Sequence, residues 1–206
     1  TFPLKMISSK LPIGIRYTAD VSAQLKSAVI LAGLNSYGNT TIKEHILSRD
    51  HTENLLQDNT QAIKINNKRG KTITVFGKRN LSPFNITVGG DPSSAAFFVA
   101  LTLLVKGSSL KIKNVGLNPT RIGFFEILKK QKANIKFINK KKRNNEIIGD
   151  IVIKSCNLKP IHAPASIYPR TTDEYLILFV IAALTKGVSS FKGISDLANK
   201  ESSRAK

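Results

Sequence analysis

Three stretches of the chain repeat one plan, and this repetition limits the fold more than any other feature. They are "SAQLKSAVILAGLNSYGNTTIKE" (22–44), "SSAAFFVALTLLVKGSSLKIKNV" (93–115) and "TDEYLILFVIAALTKGVSSFKGI" (172–194). Each opens with small or acidic polar residues suited to a helix N-cap, continues as an apolar helical run, and breaks at a glycine: Gly38, Gly107 and Gly187. A Ser/Thr-rich alternating strand follows each break. The spacing is too long for a solenoid repeat and suits a compact α/β unit.

After each strand comes a polar turn and a second helix start, in "LSRDHTENLLQ" (47–57), "LNPTRIGFFEILKK" (117–130) and "LANKESSRAK" (197–206). In the first, Asp50 with Glu53 three residues on has capping-box spacing. In the second, Pro119 and Thr120 precede an apolar face of Ile122, Phe125 and Leu128. Alternating segments lie between the units, "AIKINN" with "KTITVFG" and "NIKFIN" with "DIVIKS", joined by basic turns that suit hairpins. The expected class is therefore α/β (α+β), built from repeated βαβαββ units. The third unit stops inside its second helix, so the chain reads as an internal piece of a longer protein.

The two longest apolar runs, 97–105 and 175–184, are about half of what a membrane-spanning helix requires, and are expected to be buried core helices. No charged start, apolar stretch and small-residue cleavage site opens the chain, so nothing marks it for secretion. Cys156 is the only cysteine, which excludes an internal disulfide and fits a reducing, cytoplasmic setting. Thirty-two Lys plus Arg against thirteen Asp plus Glu give a net charge of +19, a balance that points to an anionic partner. The cations are mostly lysines in polar segments such as "NKKKRN" (139–144), with no aromatics between them. Single-strand nucleic-acid grooves need stacking platforms as well as charge, so solvated lysine-rich turns are favoured over nucleic-acid binding.

A helix N-terminus presents unsatisfied N–H groups and a partial positive charge, so polar side chains placed there can hold an anion. Ser22, Ala23 and Gln24 stand at one such start, and Ser48 with Arg49 at the next. Each set reads alone as ordinary capping; together they could hold one phosphate. Asp173 and Glu174 open a very apolar helix, either as dipole-matched caps or as a carboxylate available as a base. Glu201 lies between Lys200 and Arg204, either as a surface salt-bridge cluster or as an acid/base group flanked by anion-binding cations. "RGKT" (69–72) lacks the first glycine of a phosphate-binding loop, Ile65 standing in its place, and is expected to be a hairpin turn. His45, His51 and His162 lack metal-ligand spacing, so no metal is expected; His51 attracts notice only because it follows "SRD".

Six motifs in register, "SAQLKSAVILAGL", "SRDHTENLL", "GDPSSAAFFV", "GLNPTRIGFFEIL", "TDEYLILFVIAAL" and "NKESSR", resemble the EPSP synthase family over nearly the whole chain. The resemblance implies two similar domains, each of three βαβαββ units, with an active site in the cleft between them. It places residues 1–87 at the end of the first domain and 88–206 at the start of the second, with the change near Val88 to Asp91. It further implies transfer of the enolpyruvyl group of phosphoenolpyruvate to the 5-hydroxyl of shikimate 3-phosphate, without metal or cofactor, by a monomeric cytoplasmic enzyme.

By resemblance, Ser22, Ala23 and Gln24 match the shikimate-phosphate loop, with Gln24 also reaching phosphoenolpyruvate and Ser48 and Arg49 beside them. Asp173 matches the carboxylate that takes the 5-hydroxyl proton, Glu201 the second proton-transfer group, Lys200 a cation for shikimate phosphate, and Arg204 one for phosphoenolpyruvate. Ala198, Asn199 and Ser203 depart from the usual Arg, Val and Asp. Several basic motifs of the family are absent from these 206 residues, so the isolated chain is expected to be inactive. Two rivals remain: the sister enzyme that uses UDP-N-acetylglucosamine, and a basic polyanion-binding module. The paired "SAQ" and "KESSR" motifs favour the first reading.

Overall fold

A computed structural model describes residues 3, 5, 7, 9–59, 61–68 and 70–199. The chain divides into two compact units, Thr1–Asn85 and Ile86–Lys206. In the first, strand β1 (Arg16–Ala19) leads into helix α1 (Ala23–Leu34), then β2 (Asn39–Glu44), α2 (His51–Leu56), β3 (Ile63–Asn66) and β4 (Lys71–Phe76). Its four-stranded sheet has the order β1-β2-β4-β3. β1 and β2 are parallel, as a crossover through α1 requires, and the remaining pairs are antiparallel. Alternation decides the faces: Ile42 and Ile73 are cross-strand partners that turn into the core with Ile30 of α1. Their neighbours Thr41, Lys43, Thr72 and Thr74 line the opposite face. There, Arg16, Thr18, Thr41 and Lys43 border an open cavity of about 550 Å³ together with Tyr17.

The second unit contains α3 (Pro92–Leu104), β5 (Ser109–Gly116), α4 (Gly123–Lys130), β6 (Asn134–Arg143) and β7 (Glu146–Lys154). The sheet order β5-β7-β6 repeats the β2-β4-β3 part of the first sheet. A parallel bridge from Gly90 to Val115 stands where the first unit has β1 beside β2. The chain then continues through β8 (His162–Ala163), a 3-10 segment (Ala165–Arg170), α5 (Tyr175–Ala183), β9 (Ser190–Phe191) and a second 3-10 segment (Ser195–Asn199). β8 and β9 are again parallel across a helix. The strand–helix–strand passage thus occurs three times. Gly38, Gly107 and Gly187 lie each time between the helix and the second strand, with positive φ of 78°, 82° and 111°, a conformation that side chains with a Cβ disfavour. Both expected hairpins are present, β3 with β4 and β6 with β7. Gly70, with φ 82°, forms the turn that "RGKT" suggests.

Asp150 in the central strand β7 fastens two strand irregularities. Its carboxylate accepts from the backbone N–H of Asn114 (3.0 Å) and from Asn139 Nδ2 (2.8 Å), the positive-φ residues at the register shifts of β5 and β6. The Asn139 and Asn114 hydrogen bonds, with the Lys111 ammonium at 3.0 Å, hold its carboxyl down to about 2.

Three local expectations fail. Asp50 caps α2 without a side-chain bond to the backbone N–H groups of the helix, its Oδ1 accepting from the Asn54 side chain at 3.3 Å, and Glu53 does not reach back as a capping box does. Glu53 is drawn inward by two lysines, a stronger attraction than a backbone N–H provides. Helix α4 begins at Gly123, later than Pro119 and Thr120 suggest, because Asn118 Oδ1 accepts from the Thr120 N–H (2.8 Å) and Oγ1 (2.7 Å) and fixes a turn there. The apolar helices α3 and α5 bury one face only. Val99, Leu103, Leu178 and Ile181 join the core, whereas Phe97 is 65% exposed and Phe98, Leu101, Val180 and Leu184 are exposed with it. Among the described residues, no helix is long and apolar enough to cross a membrane.

Candidate active site

In the first unit two helix starts come together. Ser22 is the N-cap of α1, and its Oγ accepts from the Leu25 N–H at 3.3 Å. A hydroxyl that accepts in this way keeps its own proton to donate. Ala23 is the first helical residue and Gln24 is exposed beside it, at the end where N–H groups lack helical acceptors. Ser27 Oγ and Thr52 Oγ1 lie 2.7 Å apart, which joins the second turn of α1 to the first turn of α2.

Beneath these starts is a buried ion cluster. Lys26 is 0% exposed, and its Nζ lies 2.8 Å from both Glu44 Oε1 and Glu53 Oε1. Lys71 completes it at 2.9 Å from Glu53 and 3.5 Å from Glu44. Glu44 Oε1 also accepts from the N–H (2.8 Å) and Oγ (2.6 Å) of Ser48. Burial pushes the Glu44 carboxyl up, but the Lys26 and Ser48 hydrogen bonds outweigh it and leave it lowered. Burial likewise pushes the Lys71 ammonium down, and Glu53 and Glu44 reverse this. Ser48 is buried with its hydroxyl proton directed at Glu44, so in this arrangement it shapes the loop while Arg49 stands half-buried beside it. His51 is the exposed first residue of α2.

In the second unit, the starts of α3 and α5 and the turn before α4 meet at Arg121. Its Nη2 donates to Asp91 Oδ1 (2.9 Å) and Ser93 Oγ (2.7 Å), and its Nη1 lies 3.4 Å from Asp173 Oδ2. Asp91 caps α3 by accepting from the N–H groups of Ser93 and Ser94. Burial raises its carboxyl, but these hydrogen bonds, the Ser94 hydroxyl and the Arg121 charge together lower it. The adjacent carboxylates Asp173 and Glu174 take different environments in the turn before α5. Glu174 is buried and accepts from Ser93 Oγ; the Asp173 side chain is 35% exposed.

The other three predicted residues, Lys200, Glu201 and Arg204, lie outside the described residues. The segment before them is held by Tyr168, whose hydroxyl donates to Asp196 Oδ2 at 2.8 Å. Burial and the Asp196 carboxylate push that phenol well above its usual range. Two groups of interacting residues were missed in the sequence: the Lys26–Glu44–Glu53–Lys71 cluster, and Arg121 with Asp91 and Ser93. Each had a signal. Lys26 is a charge inside the apolar run of α1. Arg121 is a cation just before a helix start, where the helix dipole disfavours one unless carboxylates are near. Among the described residues no group of three or more His, Cys, Asp or Glu could hold a metal ion.

Residues 2–206 match the family model for EPSP synthase (3-phosphoshikimate 1-carboxyvinyltransferase). The 3-phosphoshikimate 1-carboxyvinyltransferases of Zymomonas mobilis and Paramagnetospirillum magneticum are each 40% identical over 98% of this chain. The chain spans 44% and 46% of their lengths, less than half of either. An EPSP synthase structure from Acinetobacter baumannii superposes with a TM-score of 0.81 at 38% identity, over 94% of this chain and 43% of that one. The enolpyruvyl transferase NikO from Streptomyces tendae shares the fold alone, with a TM-score of 0.56 at 16% identity. With its repeated strand–helix–strand passage and a family match from residue 2 to residue 206, the chain belongs to the EPSP synthase family.

Proposed function

We propose that this chain forms part of an enzyme that transfers the enolpyruvyl group of phosphoenolpyruvate to the 5-hydroxyl of shikimate 3-phosphate. The products are 5-enolpyruvylshikimate 3-phosphate and phosphate. The observation that carries this reading is the family match along the chain, and the accessible Asp173 carboxylate gives it a reacting group. Residues 1–87 are assigned to the end of a first domain and 88–206 to the start of a second. The division of the chain at Asn85 and Ile86 supports this assignment. The complete enzyme is taken to be monomeric and cytoplasmic, in keeping with the resemblance and with the one cysteine in these 206 residues.

The chemistry requires a base for the 5-hydroxyl, an acid for the methylene carbon of phosphoenolpyruvate, and fixed cations for an anionic tetrahedral intermediate. Asp173 takes the hydroxyl proton as the oxygen bonds to the enol carbon, and Glu201 protonates the methylene carbon to a methyl group. Loss of a methyl proton back to the Glu201 carboxylate, with departure of phosphate carrying the proton held by Asp173, then restores the double bond and the starting state of both carboxyl groups. Ser22, Ala23 and Gln24 at the start of α1, with Arg49 beside them, receive the shikimate phosphate, Ser48 shapes the loop that carries Arg49, and Gln24 extends to phosphoenolpyruvate. Lys200 binds shikimate 3-phosphate, and Arg204 grips phosphoenolpyruvate. No metal or other cofactor takes part in this scheme.

Replacing Asp173 by Asn or Glu201 by Gln in the complete protein keeps the shape and removes proton transfer, lowering kcat by about 10²- to 10⁴-fold. The dissociation constant for shikimate 3-phosphate changes much less, whereas Lys200→Ala raises it by removing a charge-assisted hydrogen bond. Near-normal turnover in both amide variants would sink the catalytic assignment.

A further inference from the structure

We propose that Arg121 is the positioning residue for Asp173, fixed for that task by Asp91 and Ser93; this rests on the reading of Asp173 as the base. A guanidinium is a planar fork that can hold partners on different nitrogens in one geometry. Here Nη2 is held by Asp91 (2.9 Å) and Ser93 (2.7 Å), while Nη1 faces Asp173 Oδ2 at 3.4 Å. The holders are themselves fixed. Asp91 accepts from the Ser94 N–H at 2.8 Å and the Ser94 hydroxyl at 2.9 Å as it caps the thirteen-residue helix α3. Ser93 accepts from Arg121 and donates to Glu174, the buried residue that follows Asp173 in the chain.

A ring therefore closes from Arg121 through Ser93 and Glu174, along the backbone to Asp173, and back to Arg121. It fixes both the main chain and the carboxylate of Asp173 relative to the start of α3. Stability alone accounts poorly for this arrangement, because an ion pair with a partner as exposed as Asp173 contributes little. A proton acceptor, by contrast, loses rate steeply when displaced by an ångström.

The test is a double-mutant cycle on kcat in the complete protein, using Arg121→Ala, Asp173→Asn and the pair. If Arg121 acts through Asp173, Arg121→Ala lowers kcat on the order of 10²-fold. In the Asp173→Asn background the same change has little further effect. Arg121→Lys, which keeps the charge and loses the fork, falls between wild type and alanine, and carries the same cycle if the alanine variant does not fold. An equal loss in both backgrounds, or full activity of Arg121→Lys, overturns the positioning role and leaves Asp173 as the base. Normal turnover of Asp173→Asn overturns that reading, and the positioning role with it.

Discussion

At the scale of single residues, the buried ion cluster of the first unit makes the sharpest demand on the sequence. Lys26, Glu44, Glu53 and Lys71 satisfy one another out of water, and Glu44 also fixes Ser48 in the loop before Arg49. Removing one member strands the others. Lys26→Met should cost about 3–5 kcal/mol, read from urea unfolding, because two carboxylates then share one lysine. A Lys26→Met, Glu53→Leu double variant should cost less than the sum of its single changes; strict additivity would show that the four groups do not act together. Proton linkage supplies a second check. Glu44, Asp91 and Asp150 have carboxyls held below their ordinary values of 4.5, 3.8 and 3.8. A lowered folded value means that the unfolded chain takes up protons first, so this stability is complete above about pH 5 and is lost as pH falls through 4.5 and on below 3.8. Melting temperatures measured from pH 7 to pH 3 should fall only in the acid part of that range. Glu44→Gln should flatten the decline, and an unchanged slope in that variant would remove Glu44 from the account.

At the scale of elements, the repeated passage depends on backbone freedom at its breaks. Gly107 has φ 82° and open space where a Cβ would lie, so Gly107→Ala should cost about 1–2 kcal/mol from backbone strain alone. Gly77, where β4 ends beside α1, has the Ser36 carbonyl oxygen 1.8 Å from its ideal Cβ position, so Gly77→Ala must move backbone and should cost about 3 kcal/mol or more. Equal costs in denaturant titrations would contradict this ranking. The sequence made the three passages and both hairpins legible because period, caps and breaking glycines are local signals. It misled at α2 and α4 because the deciding contacts are remote or side-chain specific. Glu53 leaves its capping position for Lys26 and Lys71, and Asn118 delays α4 with a turn of its own. The candidate site was legible where residues sit at helix starts, as with Ser22, Gln24 and Asp173. Arg121 was not, since its meaning depends on Asp91 and Asp173, which stand 30 and 52 positions away.

At the scale of the whole molecule, the net charge of +19 acquires a purpose if both substrates are polyanions, since a positive field raises their encounter rate. The same charge is what a polyanion-binding module would carry, so charge does not separate the two readings; chemistry does. The direct measurement is phosphate release by the complete protein from phosphoenolpyruvate, with shikimate 3-phosphate or UDP-N-acetylglucosamine offered as acceptor. Release should require shikimate 3-phosphate, stay at background with the nucleotide sugar, and fall about 10²-fold or more in Asp173→Asn. Release driven by UDP-N-acetylglucosamine, or none with shikimate 3-phosphate, would contradict the proposed function.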